Sequence, residues 1–267
     1  MSLKRLYYAL ARRIRYIINI VLWKINIGFS KNNKKRLRSY KDKHKGQRCF
    51  IIANGPSLKE IDFDLLKNEV TIGMNRAYLM EKNNNFMPTY LACIDDTAQL
   101  LQFTEEYNGV KIPCFYNWNH RKKFDKKDNI MYLVVRFSLG FSEDIVNDLT
   151  YNGCSVTYTC VQLAFYMGFK EVYLIGKDHL FVAPKTKDGI IISDGKEQNH
   201  FIGGYYKPGQ IWHVPDYKTE EHAYEIARHA YEKSGKIIRD ATIGGHLNVF
   251  EKVEFVSLFN KNIETNQ

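Results

Sequence analysis

The sequence predicts an α/β fold, a single doubly wound and mostly parallel sheet, and three observations predict it. Short apolar runs recur from Cys49 onward, segments of helical periodicity alternate with them, and most runs break off into clusters of Asn, Asp, Gly or Pro. A chain of 267 residues is long enough for one such domain with a full hydrophobic core.

The chain opens on an arm. In residues 3–29, Leu6, Leu10, Ile14, Ile17 and Val21 recur at three- and four-residue spacing, which predicts one apolar helical face. Arg12, Arg13, Arg15 and Lys24 interrupt it, leaving Tyr16 to Trp23 as the longest uncharged stretch. A spanning helix needs about 20 apolar residues, so this helix is too short to cross a bilayer. The following KNNKKRLRSYKDKHKGQR reads as a polybasic linker. Residues 1–48 hold 15 of the 39 Lys and Arg and one acid, Asp42, so they carry +14 and the remainder −4. The basic character therefore belongs to the arm, which argues against a nucleic-acid-binding fold. A basic amphipathic helix with Trp23 and tyrosines suits the headgroup region of an anionic leaflet, giving residues 1–45 an expected membrane partner. The competing expectation is a helix packed on the body or on a partner.

The body follows. Cys49–Ala53, Val70–Met74, Tyr90–Ile94, Lys111–Tyr116, Ile130–Val135, Glu171–Gly176 and Lys236–Asp240 read as strands. Residues 155–168 read as a helix stopped by a glycine, and residues 219–234 as an amphipathic helix with Thr219 as N-cap and Gly235 as stop. The domain division is 1–47 for the arm and linker and 48–260 for the body, with a Gly-rich lid at about 180–215. The five cysteines, Cys49, Cys93, Cys114, Cys154 and Cys160, form no CxxC pair, so a zinc cluster or disulfide framework is not expected.

Ligands of open parallel sheets bind beyond the carboxyl ends of the strands. Four polar clusters follow strands there: Asn54-Gly55-Pro56-Ser57, Asn75-Arg76, Asp95-Asp96 and Asp178-His179. Neither GxxxxGK[ST] nor GxGxxG occurs. The first cluster reads as a tight turn in which Gly55 admits a ligand to the backbone and Ser57 caps a turn whose N–H groups meet phosphate oxygens. Gly176 ends the strand that leads to Asp178. Asp95 and Asp96 are adjacent rather than spaced by one, a poor chelating pair. The irregular stretch from Asp188 to Tyr206 and its continuation hold His200, Tyr205, Tyr206 and His213. A histidine there can deprotonate a hydroxyl, and the tyrosines can donate to a leaving phosphate.

The runs IIANGPSLKEIDFDLL, GMNRAY and MGFKEVYLIGKD resemble the bacterial sialyltransferases that build lipooligosaccharide caps. They also resemble polysaccharide-biosynthesis proteins that share the NGPSL start, a group overlapping flagellin glycosyltransferases and an archaeal pterin diphosphokinase. The resemblance spans residues 48–250. It implies a Rossmann-like sheet of the glycosyltransferase A variety, a small lid and no metal or cofactor. It implies donor contacts from Asn54, Gly55 and Ser57 and a nucleotide-binding role for Asn75. Asp95 falls where the family carries an asparagine, and Ser155 or Thr157 near its helix-start serine. The family's base closes a His-Tyr/Phe-Ile-Gly-His pattern. Here Asn199-His200-Phe201-Ile202-Gly203 matches its start, Gly204 stands in the closing position, and His213 is the best substitute. The implied function is an inverting, metal-independent transfer of a sugar, CMP-linked and sialic-acid-like, to a cell-surface glycan or lipid-linked acceptor in lipopolysaccharide or capsule synthesis. The cytoplasmic face of a bacterial inner membrane is the expected location, with a homo-oligomer left open. The alternatives are a Mg-dependent diphosphokinase of the pterin type and a non-catalytic scaffold of a polysaccharide assembly complex.

Overall fold

A computed structural model describes residues 3–182, 186 and 189–260, except for the side chains of residues 3–9, 11, 12, 15, 96 and 97. Leu6, Arg12, Arg15 and Asp96 of the sequence reading thus fall outside the described side chains, and Asp188, with lid residues 183–185 and 187, outside the described residues.

Eight strands form one sheet in the order β12-β11-β8-β1-β2-β3-β4-β5, every neighbouring pair parallel. They are β1 (Arg48–Ile52), β2 (Val70–Met74), β3 (Tyr90–Cys93), β4 (Cys114–Asn117), β5 (Ile130–Leu133), β8 (Glu171–Ile175), β11 (Ile237–Asp240) and β12 (Glu251–Lys252). Two pairs of short strands stand apart from this sheet: β6 (Val135–Arg136) with β7 (Thr150–Tyr151), and β9 (Ile190–Ile192) with β10 (Ile211–His213). The expected fifth strand thus splits, and its last residues leave the main sheet as β6. The chain winds from β1 towards β5 on one side and crosses to β8 on the other, so the strand order reverses between β1 and β8. Their carboxyl ends open the crevice where doubly wound sheets bind ligands.

The central strands are apolar on both faces because helices and turns cover both. Cys49, Phe50, Ile51 and Ile52 of β1 and Val172, Leu174 and Ile175 of β8 are fully buried. Helix α5 (Val156–Tyr166) is buried from Thr157 through Tyr166 and packs beside β1, β2 and β3. Being apolar on all sides, it belongs inside the molecule. Two short helices, α3 (Met80–Asn84) and α4 (Thr104–Gly109), connect neighbouring strands. Helix α6 (Tyr217–Lys233) lies on α5 and buries Ala223, Tyr224, Ala227 and Tyr231. It begins before Thr219: Asp216 is its N-cap, accepting from the Thr219 backbone at 3.2 Å and the Thr219 hydroxyl at 2.7 Å.

The arm differs from the expected linker. Helix α1 (Leu3–Ile25) turns at Asn26 into α2 (Gly28–Arg38), which is packed on the body with Leu37 fully buried. Asn33 of α2 pairs both ways with the backbone of Tyr132, its Nδ2 donating to the carbonyl and its Oδ1 accepting from the amide, each at 2.9 Å. This blunts the open edge of β5, which would otherwise invite pairing with another chain. Part of the polybasic stretch therefore has a structural task. Trp23, expected at a headgroup surface, is instead buried against Trp118, ring centroids 5.3 Å apart in an edge-to-face arrangement.

Candidate functional site

A cleft of about 160 Å³ opens at the reversal point. Its floor comes from Asn54 and Gly55 after β1, Asn75 after β2, and Gly176 to His179 after β8. Ser155, Val156 and Thr157 close one side, and Asn199, His200 and Tyr217 the other.

Past the end of β1 the ladder continues, with the Gly55 amide donating to the Gly176 carbonyl at 2.9 Å. A Cβ on Gly55 would stand 1.8 Å from Asp178 Oδ2 and 2.6 Å from the Gly176 carbonyl oxygen. The glycine is thus required by the approach of Asp178, where the sequence had assigned that space to a ligand. Asp178 grips the turn: Oδ1 accepts from the Ser57 amide at 3.0 Å and Oδ2 from the Ser57 hydroxyl at 2.8 Å. Ser57 and Asp178 spend their polar atoms on each other, and neither Ser57 nor Pro56 lines the cleft. Their work is to fix the turn that presents Asn54.

Asn54 donates through Nδ2 to the Met74 carbonyl at 3.0 Å, while its buried Oδ1 has no partner among the described residues. Asn75 adopts a left-handed backbone, φ 48°, and its buried Oδ1 is likewise unpartnered. Buried polar atoms are nearly always satisfied. Two unpaired carbonyl oxygens on adjacent strand ends are therefore acceptors held ready for a donor such as a nucleobase amine or a ribose hydroxyl.

Ser155 caps α5, its Oγ accepting from the Thr157 amide at 3.2 Å, so the helix N-terminus meets the cleft. Such an end favours phosphate through its dipole and amide groups. The Thr157 hydroxyl donates to Met74 Sδ at 3.3 Å and is buried. Gly176, φ 66°, leaves space that Leu58 fills.

The lid brings one of the two expected histidines to the cleft. His200 lines it, with Nδ1 3.0 Å from both carboxylate oxygens of Glu197 and Nε2 without a partner among the described residues. Burial raises the Glu197 carboxyl pKa, but hydrogen bonding and charge from His200 outweigh it and hold the group below its ordinary value. His213 sits on β10 one residue past Trp212. Trp212 is buried against Phe181, and alternation along the strand puts His213 on the exposed outer face. His213 therefore does not line the cleft. Tyr205 and Tyr206 are buried within the lid and do not line the cleft. The Tyr205 hydroxyl accepts from the Arg76 amide at 3.1 Å, and the Tyr206 hydroxyl is bonded to Gln99 Nε2. Burial pushes both phenols up and they stay neutral. Neither can reach a leaving phosphate. Asp95 is also off the cleft, its Oδ1 accepting from the Ala98 amide at 3.0 Å.

Sequence reasoning missed several contributors. His179 was seen only as part of a strand-end pair. It has φ 55°, its Nε2 lies 2.9 Å from Glu221, and its ring lies 4.2 Å from that of Tyr217. Burial lowers its pKa, against the raising effect of Glu221. Lys177 donates to buried Glu220 at 2.8 Å, and the buried Tyr217 hydroxyl has no partner among the described residues. The spacing of Glu197 three residues before His200 was the available signal for that dyad. Among the described residues, no three His, Cys, Asp or Glu side chains converge as a metal-binding set.

The fold is shared with the MAf glycosyltransferase from Magnetospirillum magneticum AMB-1, at TM-score 0.52 and 20% identity. The match covers 86% of this chain and 39% of that one, so the chain spans about two-fifths of its length. A second solved structure, the sialyltransferase CstII from Campylobacter jejuni, is matched at TM-score 0.46 and 15% identity, covering 78% of this chain and 85% of that one. No curated protein sequence matches the chain. The sequence profile described as "6-hydroxymethylpterin diphosphokinase MptE-like" matches residues 26–183, more than half of the chain, from α2 through the strand ends that form the cleft floor, and the chain belongs to this MptE-like family.

Proposed function

We propose that the cleft binds a nucleotide-activated sugar and transfers the sugar to an acceptor hydroxyl with inversion. The observation that carries this is the convergence, in one cleft at the reversal point, of unpaired Asn54 and Asn75 acceptors, the α5 N-terminus and the His200–Glu197 dyad. The asparagines hold the nucleoside, and the helix end receives the phosphate. His200 Nε2 takes the proton of the acceptor hydroxyl, and Glu197 steadies the resulting imidazolium. The acceptor oxygen bonds to the anomeric carbon as the anomeric carbon–phosphate oxygen bond breaks, and the electron pair leaves on the nucleotide. Preference for a CMP-linked, sialic-acid-like donor rests on the NGPSL and GFKEVYLIGKD resemblance.

Family membership favours a second reading, transfer of diphosphate from ATP to the hydroxyl of a pterin-like alcohol. The same cleft and base serve it. Its magnesium ion would call on Asp95, Asp96 and Asp178: Asp178 lines the cleft with both oxygens accepting from Ser57, Asp95 caps the turn at Ala98 off the cleft, and the Asp96 side chain lies outside the described ones.

An assay of CMP release from a CMP-sialic acid in the presence of a galactose-terminated acceptor tests the proposal. His200→Ala should lower turnover by about 10²- to 10⁴-fold, while His213→Ala leaves it unchanged. Full turnover in His200→Ala overturns the assignment of the base.

A further inference from the structure

Helix α1 presents an apolar face that no described residue covers. Leu10, Ile14, Ile17, Ile18, Val21 and Ile25 are all exposed, with Ile17 at 59%. At 100° per residue these positions fall in an arc of roughly 80–100°, which Leu22, also exposed, widens to about 140°. Asn19 and Trp23 lie on the opposite side and are the buried ones. The stripe is therefore not a poorly packed core face, because the helix already has a docked face elsewhere. Exposed apolar surface of this extent marks an interaction site.

The charge around the stripe selects the partner. Arg13 and Lys24, both exposed, fall just beyond its Ile17 edge. Beyond the sharp turn at Asn26 and Gly28, the exposed Lys31, Lys35 and Arg38 of α2 continue the positive surface. Two copies of α1 meeting stripe to stripe would bring these like charges together. An anionic lipid leaflet instead takes the apolar face among its acyl chains and the cations among its headgroups. No described helix is long and apolar enough to cross a membrane. We infer that α1 is an interfacial helix that lays its Leu10–Ile25 stripe into an anionic bilayer surface.

The docking of α1 also ties it to the end of the sheet at which the cleft opens. Asn19 Nδ2 donates to Asn119 Oδ1 at 2.7 Å, Arg121 donates to Asn19 Oδ1 at 2.9 Å, and Trp23 packs on Trp118. Residues 118–121 follow the carboxyl end of β4, so α1 is fixed at the same end of the sheet as the cleft, three strands away from β1. The lid contributes more exposed apolar side chains at that end of the sheet, Ile190 and Ile192 on the outer face of β9. On this inference the docked helix keeps the carboxyl-end side of the sheet, and with it the cleft, near the bilayer. Taken with the transferase reading, on which this last step alone depends, it points to an acceptor carried on a lipid.

Flotation of the full chain with vesicles tests the surface. Vesicles of phosphatidylcholine with roughly 30% phosphatidylglycerol are compared with pure phosphatidylcholine at about 0.1 M salt. The chain is expected to float with the anionic vesicles only. Ile17→Glu with Val21→Glu should weaken partitioning at least about ten-fold, and Arg13→Glu with Lys24→Glu should do so in a salt-dependent way. The melting temperature of each variant shows that it is folded. Failure of the wild-type chain to float, or undiminished flotation of the Ile17→Glu, Val21→Glu variant, overturns the inference. Equal flotation with neutral vesicles overturns its charge selectivity. A dimer in solution that this variant dissolves assigns the face to a second copy instead. All of these readouts are independent of the cleft chemistry, so their failure leaves the transferase reading standing.

Discussion

The Tyr205 ring lies parallel to the His200 imidazole, centroids 3.8 Å apart and planes 3° from each other. Tyr205 is itself held from both ends by Arg76, whose amide donates to the phenol oxygen and whose guanidinium donates to the Tyr205 carbonyl. The Arg76 side chain is buried, lies 4.0 Å from the Phe103 ring centroid and pairs with Glu106 at 2.8 Å. A buried cation on the strand β2 side thus orients the lid histidine through one aromatic ring. Tyr205 is a positioning residue. Tyr205→Leu should lower kcat about ten-fold with little change in KM, whereas Tyr205→Phe, which keeps the stack, should restore most of the rate. Equal loss in both variants would mean that the hydroxyl, and not the stack, matters.

Gly55→Ala tests the clasp between the first turn and Asp178. The added Cβ has backbone on one side and the Asp178 carboxylate on the other, so the turn must move. A cost of about 3 kcal/mol in stability is expected, with loss of nucleotide-induced stabilisation. Urea denaturation followed by nucleotide titration reads both. Retention of both properties would show that Asp178 swings aside freely.

The Lys177–Glu220 pair gives a pH signature. Burial raises the Glu220 carboxyl pKa, but Lys177, by charge and hydrogen bond, outweighs it and holds the group below its ordinary value. A depressed folded pKa contributes stability that is present above the unfolded value and is lost as pH falls through the folded one. Glu220→Gln also leaves Lys177 without its anion. The variant should be destabilised by about 3 kcal/mol at pH 7, and the gap to wild type should close as pH drops below about 4. A gap independent of pH would remove the ion pair from the account.

Asn33→Ala probes the mounting of the arm. It strips both hydrogen bonds from the Tyr132 backbone at the edge of β5. Thermal or urea unfolding should show a loss of about 2 kcal/mol, and β5 should gain hydrogen exchange at the Tyr132 amide. Unchanged protection there would show that α2 does not guard the edge.

The sheet was legible because each strand is a compact apolar run closed by a polar break, and of the four clusters that the crevice rule then selected, Asn54, Gly55, Asn75, Asp178 and His179 line the cleft while Pro56, Ser57, Arg76 and Asp95 do not. Tertiary partnership was not legible. Ser57 and Asp178 are 121 positions apart, and nothing local shows that they satisfy each other. Tyr205, Tyr206 and His213 were selected for residue type within a loop. Type says nothing of which way a lid residue faces: His213 turns outward on β10 while the two phenols are consumed by Arg76 and Gln99. Glu197 escaped notice and His179 received no role of its own, because their value comes from partners brought near by folding. The polybasic run read as a free linker because its charges concealed Asn33 and Leu37, the two residues that dock it.

The central claim is that the cleft is a nucleotide site served without a protein-bound metal, and melting of the full chain with CMP, CDP, UDP, GDP and ATP, with and without Mg²⁺, tests it most directly. A ligand that binds only the native state raises the melting temperature. The account predicts stabilisation by CMP or CDP that is unaffected by Mg²⁺ and abolished in an Asn54→Ala, Asn75→Ala variant. Stabilisation by ATP alone, and only with Mg²⁺, would contradict it in favour of the diphosphokinase reading, and no response to any nucleotide would remove the site itself.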